Sequence, residues 1–173
     1  MTLVRLALAL LVLAAALPEI PRYVAERRLY QASAMLRSVL ARPHAVPNPG
    51  GVIAWAGSVA AGVAGDLPGD WRPLNVAGSA LLLTRQPERA LERYREALGR
   101  GERPEIDLNA GRAYASLGRH DLARAAFVRA GWISPAVLAS LPGPTREAIG
   151  PELADLEVRL TRGQLAAVPA FAP

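Results

Sequence analysis

The chain has 173 residues, enough for one modest domain, or for a membrane segment and one small domain. Ala and Leu supply much of its hydrophobic content and aromatics only 5%, a balance that favours helices over sheets. It has no cysteine, which excludes disulfides, thiol catalysis, iron–sulfur clusters and thiolate zinc sites, and its net charge of +5 rests on 20 basic residues that are all arginine.

The first element is an apolar run over residues 6–17, preceded by Arg5 and closed by Pro18-Glu19-Ile20-Pro21. A charged start, a short apolar stretch and small residues (Ala14, Ala15, Ala16) fit an export signal. Counted as residues 3–20, the same segment reaches about 27 Å as a helix, sufficient for an uncleaved membrane anchor if Arg5 sits at one interface. Residues 1–20 are therefore expected to be an anchor or signal, with the anchor favoured. This makes the protein a single-pass bacterial inner-membrane protein in contact with lipid through residues 3–20. Arg22, Arg27, Arg28 and Arg37 would hold the adjoining domain in the cytoplasm, whereas signal-like starts export the domain attached to them; the periplasmic side is preferred.

Residues 21–66 are expected to form two helices. From 21 to 42, Val24, Leu29, Ala32, Met35, Leu36, Val39 and Leu40 recur at helical spacing, and Pro43 ends the run. After a breaker-rich loop over 44–51, residues 51–65 are uncharged and rich in small side chains. Gly57, Ala61 and Gly65 fall four apart, as do Ala54, Ser58 and Gly62, which lets helices approach closely. A packed helix is preferred to a second membrane segment, since 15 residues reach only about 22 Å. Residues 66–70, with Pro68 and Gly69, are a turn.

Residues 71–137 contain two similar halves. An offset of 33 residues maps Ala77 onto Ala110, Gly78 onto Gly111, Leu81 onto Tyr114, Ala90 onto Ala123, Tyr94 onto Phe127 and Ala97 onto Ala130. Each half reads as two antiparallel helices, with small residues where the helices touch and large ones filling the space between. Turns fall at 85–87 and 118–121, where Pro87 suits a first helical position and Asp121 a cap. Pro104 and Pro135 separate the units.

These residues resemble the tetratricopeptide repeat family. In the second unit Gly111, Tyr114, Gly118, Ala123, Phe127, Ala130 and Pro135 all take the family's positions. The first unit has Arg85 at the turn glycine and Glu102 at the closing proline, and Leu74 and Asp107 stand at the family's tryptophan-type position. The resemblance implies an all-α fold, an α-solenoid of helical hairpins behind a short hydrophobic N-terminal helix. Two such units bury too little alone, so the helices within 21–66 are expected to stack on one side. A capping helix within 138–162 would close the other, running from 151 to 160 with Leu153, Leu156 and Leu160 inward. Residues 163–173 read as a disordered tail.

No residue set for chemistry emerges. His44 and His120 have no partner at metal-ligand spacing, the glycines form no phosphate loop, and Asp66 and Asp70 flank a turn. Trp55, Trp71 and Trp132 are expected to pack between helices. With no nucleophile, base or metal set, the chain is not expected to be an enzyme or to hold a metal or cofactor. Between 85 and 129 the arginines alternate with Glu and Asp, as on a solvated helix face, and no basic stripe with interleaved aromatics points to nucleic acid. What remains is surface. The resemblance implies a concave groove that takes a peptide segment or a helix of another protein, lined by Arg72, Asn75, Ser79, Asn109 and Arg112. Asn can hold a peptide backbone and Arg a carboxylate, while the Lys/Asn clamp for acidic chain ends is absent. The expected function is a tethered interaction scaffold or assembly factor of an envelope complex, or else a structural subunit built permanently into a larger membrane complex.

Overall fold

A computed structural model describes Arg5, Leu17 and residues 19–168. The described residues form helices and no strands. The expected anchor or signal lies almost wholly outside them. Among the described residues no helix is long and apolar enough to cross a membrane.

Seven α-helices succeed one another among the described residues: α1 (Glu19–Ala41), α2 (Pro49–Val63), α3 (Arg72–Leu83), α4 (Pro87–Gly99), α5 (Pro104–Ser116), α6 (His120–Ile133) and α7 (Gly143–Thr161). Short 3-10 turns occupy Pro43–Ala45 and Pro135–Ser140. Each of α1 to α5 packs on the next, and α7 packs on α6. Helix starts obey local chemistry. Proline opens α2, α4 and α5, where its missing N–H costs nothing and its fixed φ suits the first turn. The Asn48 side chain accepts from Gly51 N–H at 3.1 Å, capping α2. Arg42, kept out of the helical region by Pro43 with φ −148° and ψ 71°, stops α1. Asp121, read as a cap, instead lies inside the first turn of α6, where no side-chain cap bond forms; its charge still suits the helix N-terminus.

Of the twelve side chains paired by the 33-residue offset, eleven are buried and Leu81 is half-buried. The reason is a close approach made twice. A Cβ on Gly78 would stand 2.6 Å from Tyr94 Cε1, and one on Gly111 would stand 2.5 Å from Phe127 Cε1. Each glycine lets an aromatic ring from the next helix lie against its backbone, and Ala90 and Ala123 on those helices are buried as well. The turns match too. Arg85 has φ 60°, and its counterpart Gly118 has φ 70°. The left-handed shape is needed in both, and in the first unit a side chain is forced into it.

The N-terminal helices differ from the sequence reading in detail. The buried stripe of α1 is Ala25, Leu29, Ala32, Leu36 and Val39. Val24, Met35 and Leu40, expected inside, are exposed, because one helix face cannot bury all seven apolar positions. On α2, Ala56, Ala60 and Val63 are buried, and a Cβ on Gly57 would meet Ala80 of α3 at 2.8 Å. The small residues thus serve contact with α3, while Trp55, expected between helices, stays 42% exposed.

At the other end α7 begins eight residues before Pro151 and runs through it. Ile149 and Leu156 are its buried anchors, and Leu153 and Leu138 pack over Gly131 of α6. Residues 163–168, expected as part of a disordered tail, return to the core instead. Val168 is buried there and Leu165 half-buried, both apolar, while the other four residues of the segment are exposed. Residues 169–173 lie outside the described residues.

Two outcomes test this packing by urea denaturation. Gly111→Ala should lower stability by about 1–3 kcal/mol, because the methyl must displace the Phe127 ring. Arg85→Gly should raise it by roughly 0.5–1 kcal/mol, by relieving a left-handed backbone that a side chain resists. Equal stability for Gly111→Ala and wild type would remove the close approach as the organising contact.

Candidate protein-binding groove

Helices α1, α3 and α5 line a groove of about 540 Å³. All five predicted residues, Arg72, Asn75, Ser79, Asn109 and Arg112, face it. They come together because α3 and α5 are equivalent helices of the two halves, so positions about one offset apart lie side by side. Asn75 and Asn109 do so directly, with Asn109 Nδ2 donating to Asn75 Oδ1 at 3.0 Å. Asn109 Nδ2 also reaches Ser79 Oγ at 3.4 Å. Arg112 Nη1 donates to Asn109 Oδ1 at 3.0 Å, and its Nη2 donates to Ser140 Oγ at 2.8 Å and to the Ser140 carbonyl at 3.1 Å. The result is one polar chain along the groove, Asn75–Asn109–Arg112, anchored at its end to Ser140 outside the lining.

Beneath this floor the Tyr94 hydroxyl donates to Ser79 Oγ at 3.4 Å, and burial pushes its pKa up to about 12. The ring that rests on Gly78 therefore also ties the core to the groove. Arg112 is half-buried, and burial lowers its pKa. Its hydrogen-bond partners are all neutral, and no ion pair involving it is found among the described residues. A guanidinium in that setting keeps an uncompensated charge at the groove.

Arg72 differs from the others. Its Nε and Nη2 grip both oxygens of Asp70, at 3.0 and 2.6 Å, and Glu26 of α1 stands 4.0 Å away. Burial raises the Asp70 pKa, but the hydrogen bonds from Arg72 outweigh it and hold the carboxyl below its ordinary value. Arg72 thus lines the groove with its charge already matched. The reading from sequence also missed one wall. Tyr30, Ser33, Arg37 and Leu40 project from α1, with Trp71 and Leu108 contributing apolar surface. Leu40 and Tyr30 are 57% and 69% exposed, large apolar surface left uncovered on the groove side. The signal was present in α1, whose apolar residues are too many for one buried stripe.

The groups screened for chemistry stay apart. His44 and His120 are exposed, and no cluster of three or more metal-ligating side chains occurs among the described residues. One titratable group stands out elsewhere. Asp107 of α5 is fully buried, at the position 33 residues after buried Leu74. Burial, then the neighbouring Glu102 charge, push its pKa up to about 7 against an opposing pull from Arg129. The offset that identified the repeat places a carboxylate where its counterpart is leucine.

Compared with known proteins, the chain matches no protein-family model, no curated protein and no solved structure.

Asp107 contributes a pH response of stability opposite in sign to that of Asp70 and Glu102, whose carboxyls are held below their ordinary values. Its folded pKa lies above the ordinary carboxylate value, so folding favours the protonated form. The stabilising contribution is complete below about pH 4 and is lost as pH rises to about 7. Asp107→Asn should therefore match wild type at pH 4 and exceed it at pH 8 by up to about 4 kcal/mol, read by thermal unfolding across that range. Parallel pH profiles for the two proteins would contradict the assignment.

Proposed function

We propose that the chain is a membrane-tethered docking subunit of a bacterial envelope assembly, and that its groove binds a segment of another protein. The observation that carries this reading is the groove floor, where Asn75, Asn109 and Arg112 present amide and guanidinium groups beside the apolar Tyr30, Leu40 and Leu108. Asn amides offer a donor and an acceptor to a peptide backbone, and the unmatched Arg112 charge suits a carboxylate on the bound segment. Apolar walls supply the burial that gives such a contact its affinity. A 540 Å³ volume accommodates a few residues of extended chain or one face of a helix.

In this reading the helix pairs of residues 71–137 are tetratricopeptide-like, and α1 and α2 extend them as a third pair in an α-solenoid. Support comes from the repeated glycine–aromatic approach and from the order of packing, each helix upon the next. Residues 3–20 are the tether, with the domain on the periplasmic side. Holding the groove near the membrane raises its effective concentration for a membrane partner. The role is binding, without catalysis.

A second reading has one feature in its favour. The outer face of α2 is free of charge and carries Ala54, Trp55, Ser58, Ala61 and Gly62. A permanent subunit of a larger complex would cover such a face.

A photo-crosslinking residue at Tyr30 in the full chain, expressed in its native membrane, tests the first reading. It should capture a discrete protein, and Asn109→Ala with Arg112→Ala should reduce that capture at least tenfold, or about 1.4 kcal/mol. Capture unchanged by the double substitution would exclude the groove. A crosslinker at Trp55 that captures a protein while Tyr30 captures none would favour the permanent subunit.

A further inference from the structure

Asp107 is the one polar or charged side chain fully buried among the described residues, and neither of its carboxylate oxygens has a hydrogen-bond partner. Two charged groups act on it: Glu102, from the connection between α4 and α5, and Arg129, from α6. Among the described residues, these two are the charged groups that shift it from the elements packed against α5, namely α3, α4, α6 and the 135–140 turn, and from the α4–α5 connection. Glu102 and Arg129 are bonded to each other, Nε to Oε1 at 2.6 Å and Nη2 to Oε2 at 2.7 Å. The remaining donor, Arg129 Nη1, reaches the backbone carbonyl of Val168 at 3.2 Å. One guanidinium therefore ties three segments together: α6, the α4–α5 connection and the C-terminal strap of residues 163–168. An unpaired buried acid lies within reach of its field.

We infer that Asp107 is a proton-operated latch on this strap: while neutral it leaves Arg129 to Glu102 and the Val168 carbonyl, and once ionised it draws the guanidinium inward and frees the strap.

An ionised carboxylate without a donor in an apolar interior is strongly unfavourable, and the cation whose field acts on it is Arg129. Arg129 has unequal bonds to give up. Its contacts with Glu102 are charge-assisted and bidentate, whereas its contact with Val168 is a single, longer bond to a neutral carbonyl. The strap bond yields first. The start of the strap is tied to α7, where the Gly163 and Gln164 N–H groups donate to the Leu160 and Arg159 carbonyls at 3.0 and 2.8 Å; beyond it Leu165 and Val168 pack against the core. Burial and Glu102 place the Asp107 transition at about 7, so the strap is closed in mild acid and released in mild base. This inference is independent of what the groove binds.

Hydrogen exchange of the full chain, read by mass spectrometry from pH 5.5 to 8.5 and corrected for intrinsic exchange, tests it. Peptides covering 163–168 should lose protection roughly tenfold or more beyond any loss in α1 to α3 as pH rises, with a midpoint near neutrality. Asp107→Asn should keep the strap protected at every pH. Should that variant fail to fold, Asp107→Leu, the residue found one offset earlier, is expected to behave in the same way. A strap whose protection does not vary with pH, or a pH response that survives in either variant, overturns the latch. A loss of protection in 163–168 no greater than that in α1 to α3 also overturns it, since Asp107 would then loosen the whole fold and not the strap.

Discussion

Tyr94 and Phe127 each rest against the backbone of a glycine on the preceding helix, and the architecture depends on that approach. Where the backbone carries no Cβ, an aromatic ring can occupy the space between two helices while the helices stay close. Alanines at 77, 90, 110 and 123 complete the contact, all buried. With both pairs packed alike, α3 and α5 run as equivalents on one side. Side chains projecting from α3 then have neighbours about one offset away on α5. The groove floor is a product of this equivalence, since Asn75 and Asn109 meet only because their helices do. Tyr94 joins the two levels, with its ring in the core and its hydroxyl on Ser79.

The polar chain of the groove is held by its own hydrogen bonds. Preorganised side chains lose less entropy on binding than free ones. The two arginines of the groove differ in what they retain. Arg72 is spent on Asp70, and Arg112 on neutral oxygens alone. A matched ion pair at the groove's rim fixes the start of α3, where Asp70 Oδ1 also accepts from the Arg72 N–H at 2.9 Å. The unmatched charge further along is the feature suited to recognising an anionic group.

Asp107 runs against the economy of the core. Its equivalent Leu74 fills the same site with apolar surface at no electrostatic cost, whereas a carboxylate there is tolerated by taking up a proton. Glu102 and Arg129 act on it together, and both also belong to the contact that returns the strap to α6. A costly group adjoining a three-way tie is the arrangement expected where stability has been exchanged for responsiveness.

The sequence by itself determined the helical class and the offset of 33, and through it the buried positions of 71–137, because packing demands small and large residues at fixed spacing. It also placed the five groove residues on two helices. What it left open depended on which of several apolar faces wins a neighbour. Helix α1 carries more apolar residues than one stripe can bury, so the burial of Leu36 and the exposure of Leu40 were decided by where α2 lies. Pro151 suggested a helix start, yet α7 continues through it, with Ile149 and Leu156 buried on either side of the proline. The bonds of Arg129 to Glu102 and to the Val168 carbonyl, and its action on Asp107, join residues far apart in the chain. Such contacts leave no periodic trace, since only the three-dimensional packing brings those charges within reach of one another.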